Sequence, residues 1–126
     1  MNWADLVLLL ALGQFFFFGA LVGRARGLYG VRAPAVSGHE GFERIYRVQM
    51  NTLELLIIFA PSLMLAAKYF PSSWVGAVGA VYLLGRLIYW RAYVLNPARR
   101  NVGFVLSAMP TMCLLLMALV GVIRQA

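Results

Sequence analysis

The sequence predicts an all-α integral membrane protein, a bundle of four transmembrane helices in one domain spanning residues 1–126. Three observations carry that class. The 126 residues are 63% hydrophobic and 12% charged, with a mean hydropathy of +0.82, and a soluble domain this small has too much surface to hide such a composition. Val102 to Ile123 runs 22 residues without a charge and Leu6 to Gly23 runs 18, where a bilayer span takes about 20. Prolines and glycines then punctuate the chain at helix-length intervals.

The first span is expected over residues 2–23. Its leading residues, Met1-Asn2-Trp3-Ala4-Asp5, carry no positive charge, and arginines follow the apolar run. That order fits a retained helix rather than a signal peptide. Residues 24–40, rich in Gly, Pro and Ser, form the long connection. The second span covers 41–69 and stops at Pro71, whose ring fixes φ and removes a donor. The third covers 73–95 and ends at Asn96-Pro97-Ala98. The fourth covers 102–124. Pro61 and Pro110 are expected to kink their helices, with Thr111 re-satisfying a freed carbonyl. Gly76 and Gly79 offer a surface for close helix approach, while Trp3 and Trp74 suit the outer headgroup belt. Phe15 to Phe18 cover all sides of the first helix, as expected for lipid contact and helix packing, with part of an entry groove as the sharper possibility.

The net charge of +7 has a topological explanation. Arg24, Arg26, Arg32, Arg44 and Arg47 flank the first connection, and Arg91, Arg99 and Arg100 flank the third; Lys68 and Arg124 lie toward the other side. Eight against two, with Arg86 inside the third span, places both basic connections in the cytoplasm and the termini outside. Nucleic acid is not an expected partner. A single cysteine, Cys113, and a single histidine, His39, leave no disulfide, metal cluster or catalytic triad to build. A small four-span exporter would need a working acid within its first helix, and only Asp5 at one end is available there.

One stretch resists the membrane reading. Residues 42–54, FERIYRVQMNTLE, lead straight into LLIIFAPSLMLAA. At about 100° per residue, Glu43, Arg47, Asn51 and Glu54 fall within about 80° of one another, whereas Arg44, Tyr46 and Gln49 point elsewhere. An ionised group at the bilayer centre costs about 2.5–3.5 kcal/mol on insertion scales, so this stripe must face protein or water. Two readings fit it: an internal salt-bridge network of Arg47 with Glu43 and Glu54, or a site for a zwitterionic ligand. On the third helix Arg86, Tyr89, Trp90 and Tyr93 share a face of about 100°. Arg86 is expected to pair with Glu54 or Glu43 and to serve structure. Arg99 and Arg100 are topology-setting charges unless one turns inward, which periodicity does not decide.

The run Phe42-Glu43-Arg44-x-x-Arg47-x-x-x-Asn51-x-x-Glu54 resembles, without a gap, the signature of the MAPEG superfamily, the membrane-associated proteins in eicosanoid and glutathione metabolism. The likeness extends to GRARGLYGVRAPA upstream and to GRLIYWRAY and NPARR downstream. It implies a homotrimer of four-helix subunits that binds glutathione between subunits near the cytoplasmic face. Carried over by position, Arg47, Asn51 and Glu54 would hold the polar ends of glutathione with Gln49 nearby. Arg26 would take a carboxylate, Tyr89 and Tyr93 would line the pocket, and Arg100 would face the thiol as the catalytic residue. The implied activity is a membrane glutathione transferase acting on lipophilic electrophiles drawn from membrane lipid, with peroxidase activity possible; the other fate of this fold is a non-catalytic lipid-binding scaffold. Leu55 departs from members that carry a tyrosine there.

Overall fold

The computed structural model describes residues 1–125. Four long helices follow in chain order: α1 (Trp3–Tyr29), α2 (Glu40–Tyr69), α3 (Ser72–Leu95) and α4 (Asn101–Gln125), with a 3-10 turn at Pro97–Arg99 ahead of α4. Among the described residues α1, α2 and the segment Pro97–Gln125 are each long and apolar enough to cross a membrane. At 24 residues α3 is also long enough, but Arg86, its glycines and its tyrosines dilute its apolar character.

Local chemistry sets the boundaries. Asn2 caps α1 by accepting from the Asp5 amide at 3.1 Å. The helix runs to Tyr29, six residues beyond the charge-free run that marks the first span. The Arg24–Tyr29 run continues it, and the stop comes at Gly30, whose φ of 67° is open to glycine without strain. The six added residues lengthen α1 by about 9 Å. His39 caps α2, its Nδ1 accepting from the Gly41 amide at 2.9 Å, while its ring stacks on Tyr29 at 4.2 Å. Asn96 caps the turn before α4 by accepting from the Ala98 amide.

Packing centres on α3, which α1, α2 and α4 all contact. Its small residues permit close approach: Gly76 meets Trp3, Gly79 meets Val7, and Gly85 lies against the backbone of Leu106 and Ser107. In the buried core Phe59 stacks on Tyr82 with centroids 3.8 Å apart. The outer surface is apolar, with Phe16 80%, Leu9 66% and Ile57 65% exposed, as suits a bundle solvated by lipid rather than water. Of the four phenylalanines, Phe18 is buried and Phe16 and Phe17 are exposed.

Pro61 and Pro110 both lie inside helices. Thr111 does not take the carbonyl that Pro110 leaves free, which is that of Leu106. Its hydroxyl donates to the carbonyl of Ser107 at 2.8 Å, because at i−4 that oxygen is within reach of a helical threonine.

Candidate functional site

The beginning of α2, the end of α3 and the beginning of α4 meet at one end of the bundle. A cleft of about 600 Å³ opens there, lined by Arg47 and Asn51 from α2, Tyr89 and Tyr93 from α3, and Arg100, Asn101 and Phe104 around the start of α4. The volume suits a small-molecule ligand. No carboxylate is among its lining residues, so Arg47 and Arg100 make its interior cationic.

Each side chain is placed by ordinary helix geometry. Arg47 and Asn51 are one turn apart on α2, as are Tyr89 and Tyr93 on α3, whose rings approach to 5.4 Å. Arg100 follows the 3-10 turn and donates through Nη1 to the carbonyl of Pro97 at 3.0 Å, which leaves its other donors free. Arg99, one residue earlier, does not line the cleft.

The polar stripe on α2 divides. Arg47 donates to Glu54 Oε1 at 3.0 Å, with side chains 47% and 60% exposed. Glu54 therefore sits beside the cleft-lining arginine without lining the cleft itself. Glu43 is not part of an Arg47 network. It accepts instead from the Gly38 amide at 3.1 Å, because the connection folds back over the first turn of α2. Arg44 pairs with Glu40 and reaches the Val94 carbonyl at 3.1 Å, tying α2 to the end of α3.

Three further polar side chains make their contacts outside the cleft lining. Gln49 turns toward α1, where its Nε2 lies 3.1 Å from the position a Cβ on Gly19 would take. Arg26 holds the connection, donating to the Ala35 carbonyl at 2.7 Å and the Val31 carbonyl at 3.4 Å, with its guanidinium over the Phe42 ring. Arg86 pairs with no acid among the described residues. It donates to Asn51 Oδ1 at 2.7 Å, Thr52 Oγ1 at 3.2 Å and Ser107 Oγ at 2.7 Å. Glu54 cannot be that partner because it projects from the exposed side of α2, toward Arg47. Asn101 and Phe104, which line the cleft, escaped the sequence reading. For Phe104 the signal was periodicity: once Arg100 faces the cleft, the residue four positions on lies on the same side of the helix.

The MAPEG family model matches residues 5–120. The chain belongs to the MAPEG family. Among its relatives this MAPEG chain is 42% identical to an uncharacterized protein of Synechocystis sp., over 98% of this chain and 90% of that one. It is 39% identical to the human protein named microsomal glutathione S-transferase 2, over 80% of this chain and 69% of that protein. With the Cavia porcellus protein named leukotriene C4 synthase it shares 33% identity, over 86% of this chain and 73% of that one. Transferase names among relatives agree with glutathione-related chemistry at the level of the family. Among the described residues no cluster of three or more His, Cys, Asp and Glu could hold a metal ion.

Proposed function

We propose that this MAPEG protein is a membrane glutathione transferase, and the observation that carries the reading is the cleft with Arg47 and Arg100 in its lining and no carboxylate among the lining residues, Glu54 meeting Arg47 from outside it. Glutathione is a net anion with two carboxylates and one ammonium. Arg47 and Asn51 take its polar ends, Glu54 supplies a further contact beside Arg47, Arg26 is the further carboxylate-binding arginine, and Tyr89 and Tyr93 form the wall. Gln49, turned toward α1, has no direct part in this arrangement.

The chemistry requires a thiolate, since the neutral thiol is a poor nucleophile. A thiol of pKa about 8.5 is about 3% ionised at pH 7, and lowering it by about two units raises that to about three quarters at a cost of about 2.7 kcal/mol. A unit charge about 4 Å from the sulfur supplies about 4 kcal/mol at an effective dielectric of 20, which is enough. Arg100 is the group in this role. It stays charged, so it stabilises the sulfur anion without competing as an acid. The thiolate then attacks the electrophile, a carbon–sulfur bond forms, and the leaving group departs with its electron pair. Lipophilic electrophiles concentrate in the bilayer, hence a conjugating enzyme in the membrane with a role in detoxification; reduction of lipid hydroperoxides would draw on the same thiolate.

The assembly is a homotrimer with its site near the cytoplasmic face and its termini outside. The support for an oligomer is energetic: the Arg47–Glu54 pair is about half exposed on a single subunit, and an ion pair facing lipid is unfavourable. A neighbouring subunit covering that face of α2 would remove the cost.

The test is thiolate ultraviolet absorbance on adding glutathione to the purified, detergent-solubilised protein. A saturable signal that is weak in Arg100→Ala and absent in Arg47→Ala supports the transferase. No signal in a well-folded oligomer would leave a lipid-binding scaffold as the function.

A further inference from the structure

Arg86 is fully buried in the middle of the bundle. Its guanidinium, carried by α3, is forked between two neighbouring helices: one nitrogen donates to Asn51 and Thr52 of α2, the other to Ser107 of α4. Its carbon stands 4.3 Å above the ring of Tyr89. All three acceptors are neutral, and Nε has no acceptor among the described residues. As a stabilising device this is a poor choice, because a buried charge costs several kcal/mol and a well-packed apolar residue of similar volume avoids that cost. The reason for the residue must lie in what it holds. Two of its neighbours, Asn51 and Tyr89, line the cleft; Arg86 itself does not.

We infer that Arg86 is a positioning residue for the cleft: it turns the amide N–H groups of Asn51 toward the ligand and fixes the Tyr89 ring behind it. The inference rests on the glutathione reading above. Its chemistry is one-directional. Arginine carries donors only, so Asn51 must present Oδ1 to it. The Nδ2 amide has no protein acceptor among the described residues and is left for the cleft. Asn51 thereby becomes a fixed donor, suited to a carboxylate or carbonyl oxygen of the bound tripeptide. Without Arg86 the amide would rotate freely and present either end. Ser107 completes the device from the far side: its hydroxyl accepts from Arg86 and itself donates to the Gly103 carbonyl at 2.7 Å, which anchors the fork to α4.

A residue that only ties helices together would change stability without acting through Asn51. The two roles separate in a double-mutant cycle on the full-length protein in detergent, reading glutathione Kd alongside melting temperature for Asn51→Ala, Arg86→Met, the double variant and Arg86→Lys. Acting through Asn51, each single change raises Kd about tenfold, and the double variant also stays near tenfold rather than about a hundredfold. Arg86→Lys retains the charge and the fold, but a compact ammonium cannot present a planar fork to Asn51, Thr52 and Ser107 together, so its Kd rises too. Multiplying effects in the double variant, or an unchanged Kd in a folded Arg86→Lys, would overturn the inference. Should Arg86→Met not fold, the lysine variant decides alone. Absence of glutathione binding by the wild-type protein is a different result, sinking the transferase reading and this inference with it.

Discussion

Gly103 at the start of α4 lies directly on the backbone of Tyr89 in α3: a Cβ on Gly103 would stand 2.5 Å from the Tyr89 Cα. The contact is backbone against backbone position, so no side chain can swing aside to relieve it. It also sets the spacing between Tyr89 on one wall of the cleft and Arg100 and Phe104 on the other. Gly103→Ala should therefore push α3 and α4 apart. Overpacking of this kind costs about 1–3 kcal/mol, which corresponds to a melting temperature lower by roughly 5 °C or more, and glutathione binding should weaken with it. Gly13→Ala is the control, since nothing among the described residues lies within 4 Å of a Cβ there. In a helix interior that substitution should stabilise by about 0.5–1 kcal/mol.

Asn51→Asp should move stability and binding in opposite directions. A carboxylate at that position would give the buried Arg86 the counter-charge it lacks, raising the melting temperature. It would also remove the amide donors and add a negative charge to a cleft for an anionic ligand, weakening glutathione binding by about tenfold or more. Thermal unfolding and titration on one preparation read both. A variant that binds glutathione as tightly as the wild type would remove Asn51 from the binding set.

The role assigned to Arg100 predicts a pH signature. If its charge lowers the thiol pKa by about two units, Arg100→Ala restores a pKa near 8.5 and cuts the thiolate fraction about 25-fold at pH 7. The anion is the reactive form, so activity rises with pH through the thiol pKa. The rising limb of kcat/KM should shift up by about two units in the variant and approach the wild-type rate well above pH 9. Arg47→Ala should instead raise the KM for glutathione. A uniform loss at every pH in Arg100→Ala would mean that the residue does not act on the thiol.

Arg26 clamps the connection between α1 and α2 through the carbonyls of Val31 and Ala35. Arg26→Ala should free that segment, and limited trypsin digestion at Arg32 should become on the order of tenfold faster, as expected when a charge-assisted hydrogen bond worth about 1.5–3 kcal/mol is lost from a partly exposed site. Saturating glutathione should slow cleavage of the wild-type protein if Arg26 also meets the ligand. Equal cleavage rates in variant and wild type would show that the clamp does not govern the loop.

Local physics made much of this molecule legible. The helices follow from apolar runs longer than a bilayer core and from prolines at their hinges. That Arg47 and Asn51 share a face followed from helical periodicity alone, and the structure brings them into the same cleft. The charge-free run marks the first span only as far as Gly23, whereas the helix continues through its arginines to the left-handed turn at Gly30, a stop that hydropathy does not register.

The partners of long polar side chains were decided by the tertiary structure. The sequence by itself determined that Arg86 must be sheltered, since an ionised group in a membrane helix cannot face lipid cheaply; it also determined the cationic character of the chain and the stripe on α2. Which oxygen Arg86 would meet depended on how α2 and α4 close around α3. Gly85 and Gly103 bring α4 near enough for Ser107 to accept from the guanidinium, while the side of α2 that packs on α3 offers Asn51 and Thr52 and leaves Glu54 to Arg47. Helical periodicity gives the direction of a side chain about its own axis, and only the packing of neighbouring axes determines what stands in that direction.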